Sequence, residues 1–213
     1  MKMLIFKNMA NLVVFVRTAL IFLIIYLLSI NSLVLRLASL MLLLVVAFLD
    51  WADGYIARAY NITSNLGGLL DTLGDRITEN LLLIFFAYAR IIPLFVPLVF
   101  VTRSFLADFI RYQLFCADIG TFSIHKSKLG LLFVASRPSR LLYLVFKMII
   151  FFLAGLILTI ESTMNSNFDL SVFSVNLRHV VFYVSIFVVL FNIFRFALLI
   201  YDSRLILKEK FFN

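Results

Sequence analysis

The chain has one cysteine, Cys116, so no disulfide can form within it, and that residue reads as a small apolar filler. It has one tryptophan and two isolated histidines, His125 and His179, to which the sequence assigns no role. Acidic residues are scarce, eleven Asp and Glu against nineteen Lys and Arg, for a formal net charge of +8. The basic residues are nevertheless scattered and form no tract that could follow a phosphate backbone, which excludes nucleic acid as the expected partner. There is no internal repeat, no low-complexity tract and no sign of a second domain, so residues 1–213 read as one membrane domain. Residues 1–10 carry Lys2 and Lys7 but no small-residue cleavage site. They read as a short interfacial segment rather than a signal peptide. Strict alternation of apolar and polar residues is also missing, and with it the pattern of a membrane barrel.

Apolar length dominates what remains. Hydrophobic residues make up 64% of the 213, where a soluble domain would be nearer half. They fall in blocks of roughly 20, enough to span a bilayer core as helices. Six spans are expected, over about 12–30, 33–49, 69–89, 92–115, 141–160 and 177–200. The fold class is thus an all-α integral membrane protein with six transmembrane helices and a short N-terminal interfacial helix. Lys2, Lys7, Arg58, Lys126, Lys128, Arg137, Arg140, Arg204, Lys208 and Lys210 fall on one side of these spans; Arg36, Arg90 and Arg178 fall on the other. The richer side is expected to be cytoplasmic, with both termini inside, and the +8 charge then faces anionic lipid headgroups. The Asn61-Ile62-Thr63 sequon would sit in a cytoplasmic loop and reads as chance.

The informative stretch runs from Asp50 to Asp75. Asp50 and Asp53 are three apart, and Asp71 and Asp75 are four apart. On helices, each pair shares a face. Carboxylates near a membrane core are costly and need a reason. Four converging anions are stable around cations, and oxygen-only ligation selects hard ions such as Mg²⁺, Mn²⁺ or Ca²⁺. Two such ions could clamp a diphosphate during substitution at phosphorus. Gly54, Ala57 and Gly67 keep one face bare for a ligand or a neighbouring backbone, and Arg58 offers a planar fork to a phosphate oxygen.

These residues read Asp-x2-Asp-Gly-x2-Ala-Arg-x8-Gly-x3-Asp-x3-Asp, and this pattern resembles the signature of the CDP-alcohol phosphotransferases at every defined position. The resemblance implies that Asp50, Asp53, Asp71 and Asp75 bind Mg²⁺ or Mn²⁺, with two ions on the cytoplasmic side. It implies that Asp75 is also the general base, and that Gly54, Ala57, Arg58 and Gly67 contact the CDP part. It further implies a CDP-linked lipid donor, release of CMP, a small alcohol acceptor and a homodimer. A carboxylate held by its helix suits proton removal from an alcohol. In the first span, Asn11, Val14 and Arg17 resemble the family's Asn-x2-Thr-x2-Arg, with Val14 departing from Thr. Arg17 reads either as part of that feature or as a snorkelling anchor.

Cations in the second half should choose the acceptor. Arg103, Arg111, Lys126, Lys128 and Arg195 are the candidates for binding a phosphorylated alcohol. Arg103-x7-Arg111 resembles a pair in phosphatidylglycerophosphate synthases, whose acceptor is glycerol 3-phosphate. Asp71-Thr-Leu-Gly-Asp75-Arg76 departs from the Asp-Pro-x-Ala-Asp-Lys form of those enzymes, so an inositol phosphate stands as the alternative. Asp108 could pair with either arginine. Arg137, Arg140 and Lys147 read as positive-inside or snorkelling residues. Membrane prenyltransferases need two distant Asp-rich motifs, and a divalent-cation transporter would place ligands near the midplane on several helices; one compact motif argues against both.

Overall fold

The computed structural model describes residues 2–59, 65–116, 127–163 and 168–211, and side-chain surroundings for 14–49, 72–114, 127–163 and 170–204. Among the described residues all secondary structure is helical. The long helices are α1 (Lys2–Ser29), α2 (Leu33–Ala59), α3 (Asn65–Tyr88), α4 (Phe95–Cys116), α6 (Arg137–Glu161) and α7 (Phe168–Phe211). A single turn, α5 (Lys128–Gly130), leads into a π-helical turn over Leu131–Ala135.

Each of the six apolar runs coincides with one long helix, but three boundaries differ from expectation. Residues 2–10 continue into α1 without a break, so the N-terminal segment is not a separate helix. Helix α2 runs past Leu49 to Ala59 and takes the first half of the motif with it. Helix α7 starts at Phe168, so much of the expected 161–176 connection is helical. Among the described residues, only Arg137–Glu161 and Leu170–Arg204 are helices long and apolar enough to cross a membrane; Val14–Ser29 and Leu33–Leu49 are shorter apolar helices. The remaining long helices are interrupted by polar residues, Asp75, Arg76, Glu79 and Asn80 in α3 and Arg103, Asp108 and Arg111 in α4.

The chain forms two compact units, residues 1–91 with 151–179 and residues 92–150 with 180–213. In the first unit, α1 packs against both α2 and α3. Its buried stripe is Val14, Arg17, Ile21, Ile24 and Leu28, one helix face by spacing. Phe86 is fully buried and stacks near Phe151, with ring centroids 6.4 Å apart. Gly155 of α6 allows a close approach to α2, because a Cβ there would lie 2.7 Å from Leu40 Cδ2.

Helix ends in this unit are tied by named groups. Arg36 Nε donates to the carbonyls of Leu28 (3.2 Å) and Ile30 (3.1 Å), and its Nη1 donates to the carbonyl of Leu158. One guanidinium therefore ties carbonyls at the C-terminal ends of α1 and α6 together, adding to the backbone bonds that Ile30 O accepts from Ser32 N (2.9 Å) and Leu158 O from Ser162 N (3.2 Å). At the end of α3, Arg90 adopts φ 58°, Ile91 N donates to Phe86 O (2.9 Å) and Arg90 N donates to Ala87 O (3.0 Å). This is the Schellman closure with an arginine where glycine is usual. Arg178 Nη1 donates to Arg90 O (2.9 Å), and Arg178 also binds Glu161 through Nε (2.9 Å) and Nη2 (2.6 Å). Arg90 and Arg178, expected on the same side, are thus in contact.

In the second unit, Ala107, Leu114 and Leu199 form a buried cluster with Ile110 and Phe196 against it. Phe133 meets Phe194 edge-on at 5.3 Å, and Phe146 meets Phe187 at 5.0 Å. Ser127 caps α5 by accepting from Gly130 N, while its own backbone N donates to Asp202 Oδ1 (3.3 Å). Large apolar side chains such as Phe22, Met41, Phe105, Leu142 and Tyr183 are exposed on α1, α2, α4, α6 and α7.

Candidate active site

Both halves of the motif are on helices of the first unit. Helix α2 carries Asp50, Asp53, Gly54, Ala57 and Arg58, and α3 carries Gly67, Asp71 and Asp75. The three- and four-residue spacings are therefore helical repeats in both places. The side chains of Asp50, Asp53, Gly54, Ala57, Arg58, Gly67 and Asp71 lie outside the described residues.

Asp75 is described, and its surroundings are informative. Its side chain is 52% exposed, while Oδ1 accepts a 2.8 Å hydrogen bond from Nη2 of Arg17 on α1. Arg17 is 1% exposed and is among the largest fully buried side chains. A snorkelling arginine keeps its head in water; this one does not. Beside the pair lies Gly74, where a Cβ would sit 2.7 Å from Val14 Cγ1 and 3.0 Å from Arg17 Nη2. One turn further along α3, Glu79 is 3% exposed, with Arg76 Nη1 at 3.9 Å. Sequence reasoning passed over Glu79, although Asp71, Asp75 and Glu79 recur every fourth residue.

The acceptor candidates divide. Arg103 and Arg195 are buried, at 8% and 9% exposure. Arg111 Nη1 lies 3.2 Å from Asp108 Oδ1, so that aspartate pairs with Arg111, one of the two options its spacing left open. Lys128 is exposed on α5, and Lys126 lies outside the described residues. Arg195 does not stand alone. Its guanidinium carbon is 5.0 Å from the Tyr143 ring centroid and 5.8 Å from that of Phe191, and its Nη2 donates to Val134 O at 3.4 Å. Lys147 Nζ is 4.6 Å from the same Tyr143 centroid. Lys147, read from the sequence as a snorkelling or positive-inside residue, thus shares a ring with Arg195. Three residues before Arg195, Asn192 is 1% exposed, and neither amide atom hydrogen-bonds to a described residue. A signal for Asn192 existed in its i, i+3 relation to Arg195; none existed for Lys147, which is on another helix.

Comparison with known proteins places these features. The family model for CDP-alcohol phosphatidyltransferase matches residues 7–200. A CDP-diacylglycerol–glycerol-3-phosphate 3-phosphatidyltransferase of Bacillus subtilis is 32% identical over 79 residues, 37% of this chain and 41% of that protein, so the match spans well under half of the relative. The protein of the same name in Rickettsia bellii is 27% identical over 147 residues, 65% of this chain and 81% of that protein. A Mycobacterium tuberculosis protein provisionally named cardiolipin synthase is 44% identical over 57 residues, 27% of each chain. No solved structure matches. The chain belongs to the CDP-alcohol phosphatidyltransferase family, a family of transferase enzymes.

Proposed function

We propose that the chain is an integral membrane enzyme of phospholipid synthesis that transfers a phosphatidyl-type group from a CDP-linked lipid to glycerol 3-phosphate or a similar phosphorylated alcohol. The observation that carries this reading is the complete Asp50–Asp75 motif, with both halves on helices of one unit, inside a family match over residues 7–200. The exposed apolar side chains of five long helices suit lipid contact better than water. The Lys and Arg distribution favours a cytoplasmic-membrane protein whose site faces the cytoplasm. A homodimer remains part of this reading.

The donor set fits a divalent metal. Asp50, Asp53, Asp71 and Asp75 offer only hard oxygen ligands, and the half-exposed Asp75 carboxylate is open to an ion. Bound Mg²⁺ or Mn²⁺ would supply positive charge that stabilises the diphosphate and the departing CMP. The chain's own residues do the rest. Arg58 and the small residues Gly54, Ala57 and Gly67 receive the CDP part. Asp75 takes the proton from the acceptor hydroxyl as its oxygen bonds to the lipid-bearing phosphorus, and the bond from that phosphorus to the CMP oxygen breaks.

Buried cations support a phosphorylated acceptor. Arg103 and Arg195 place positive charge in buried surroundings, which suits an anionic guest, and Lys147 adds a second positive charge at Tyr143. The unspent amide of Asn192 suits an acceptor hydroxyl. The names of the Bacillus and Rickettsia relatives favour glycerol 3-phosphate; an inositol phosphate is the second reading, kept by the departures at Thr72, Gly74 and Arg76.

The test is CMP release from CDP-diacylglycerol by the purified chain with Mg²⁺ or Mn²⁺. The acceptors are glycerol 3-phosphate, inositol 1-phosphate, inositol, serine, phosphatidylglycerol and none. Release confined to glycerol 3-phosphate and stopped by chelator is expected. Metal-dependent release with inositol 1-phosphate alone moves the reading to the second acceptor. Divalent-cation flux in vesicles without CMP release from any donor replaces it with a transporter.

A further inference from the structure

We propose that Arg17 is a positioning residue: it reaches from α1 to α3 and fixes the Asp75 carboxylate through a slot kept open by Gly74. This rests on the reading of Asp75 as metal-binding carboxylate and proton acceptor.

Three observations meet at one point. First, Arg17 is an arginine at 1% exposure on a buried stripe of α1 whose other members, Val14, Ile21, Ile24 and Leu28, are apolar. Burying that charge is costly unless a partner compensates it. Second, Asp75, 58 residues away, is one such partner, held by a 2.8 Å charge-assisted bond from Nη2 to Oδ1. Third, Gly74 precedes Asp75 and has no Cβ where one would meet Val14 Cγ1 at 2.7 Å and Arg17 Nη2 at 3.0 Å. The bare backbone of Gly74 lets the guanidinium lie close against α3, one residue from the carboxylate it holds.

The consequence is mechanical. An aspartate half exposed on a helix can sample several rotamers. A base must point at the proton it takes, and misplacement by about 1 Å can cost roughly a hundredfold in rate. Arg17 takes one oxygen from the buried side and so restricts the carboxylate's orientation. It touches neither donor nor acceptor in this scheme, and its effect on the reaction is the orientation of Asp75.

The experiment uses the full chain in lipid nanodiscs and the variants Arg17→Met, Arg17→Lys, Gly74→Ala and Arg17→Met/Gly74→Ala. The readouts are kcat and KM for CMP release, and Mn²⁺ binding without substrate, followed by electron paramagnetic resonance. Arg17→Met is expected to lower kcat about 30- to 100-fold, with both KM values within about threefold. Mn²⁺ binding should persist or tighten, because a neighbouring positive charge is gone. Arg17→Lys, which keeps the charge but not the fork, should recover part of kcat. Gly74→Ala should lower kcat by itself and have a smaller effect in the Arg17→Met background, where only the contact with Val14 Cγ1 remains. Wild-type kcat in Arg17→Met overturns the proposal. So does a fall in kcat accompanied by loss of Mn²⁺ binding, since Arg17 would then only support the fold. If Arg17→Met does not fold, Gly74→Ala decides: unchanged kcat overturns the proposal, and a kcat loss with Mn²⁺ binding intact supports it. Absence of metal-dependent CMP release from the wild type, whatever the acceptor, refutes the functional reading itself and the Arg17 role with it.

Discussion

Adding one methyl group at Gly155 should destabilise the first unit, although alanine is the better helix former. On propensity alone, Gly155→Ala would gain about 1 kcal/mol in a helix interior. The structure opposes this. The new Cβ would lie 2.7 Å from Leu40 Cδ2, about 1 Å inside the ordinary carbon contact of roughly 3.5–4.0 Å. Leu40 is 4% exposed, so it has little room to retreat. Overpacking of this kind costs about 1–3 kcal/mol. Taking about 2 kcal/mol for the clash and about 1 kcal/mol for the propensity leaves a net loss of about 1 kcal/mol. For a chain of this size, that corresponds to a fall of about 2–4 °C in apparent Tm. The assay is thermal loss of circular dichroism in detergent at one fixed scan rate, because an irreversible transition gives a scan-rate-dependent Tm. The sharper readout is a change of sign. In a Leu40→Ala background the clashing carbon is gone, and Gly155→Ala should then raise Tm. A rise in the wild-type background, or equal effects in both, would refute the close approach of α6 to α2.

Other consequences are as direct. Asp75→Asn should abolish turnover while CDP-diacylglycerol binding, measured by isothermal titration, stays within a few-fold of wild type; wild-type-like turnover removes Asp75 as the base. Arg195→Met and Lys147→Met should each raise KM for glycerol 3-phosphate about tenfold or more, and leave KM for the lipid donor little changed, since both cations sit on Tyr143. Arg178 donates twice to Glu161 and once to Arg90 O. A double-mutant cycle of Arg178→Met with Glu161→Gln should therefore show a coupling of about 1 kcal/mol, at the upper end for a partly exposed pair.

Much of the fold was legible because long apolar runs favour helices, and each of the six runs coincides with a helix, two of them long and apolar enough among the described residues to cross a membrane. The ends were less legible. Nothing in apolarity marks where α2 stops, because Asp50 and Asp53 interrupt the run without ending the helix. The π-helical turn at Leu131–Ala135 and the left-handed Arg90 follow from local backbone closure, which no periodicity reports. At the site, the carboxylate spacing was readable because helical repeats are short. The Arg17–Asp75 pair was not, since it joins two helices 58 residues apart. Gly74 looked like a departure from a familiar pattern; its value lies in what it leaves open beside Arg17. The pairing of Lys147 with Arg195 through Tyr143 was hidden for the same reason as Arg17, because contact between helices does not show in the spacing along either one.

The most direct test of phosphatidyl transfer at the α2–α3 motif is the stoichiometry of product formation. Purified chain would be incubated with CDP-diacylglycerol, isotope-labelled glycerol 3-phosphate and Mg²⁺, and CMP and labelled lipid counted together. One labelled lipid per CMP, lost on chelation and in both Asp71→Asn and Asp75→Asn, is the expected result. CMP release without label in lipid, or transfer that survives either substitution, would contradict it.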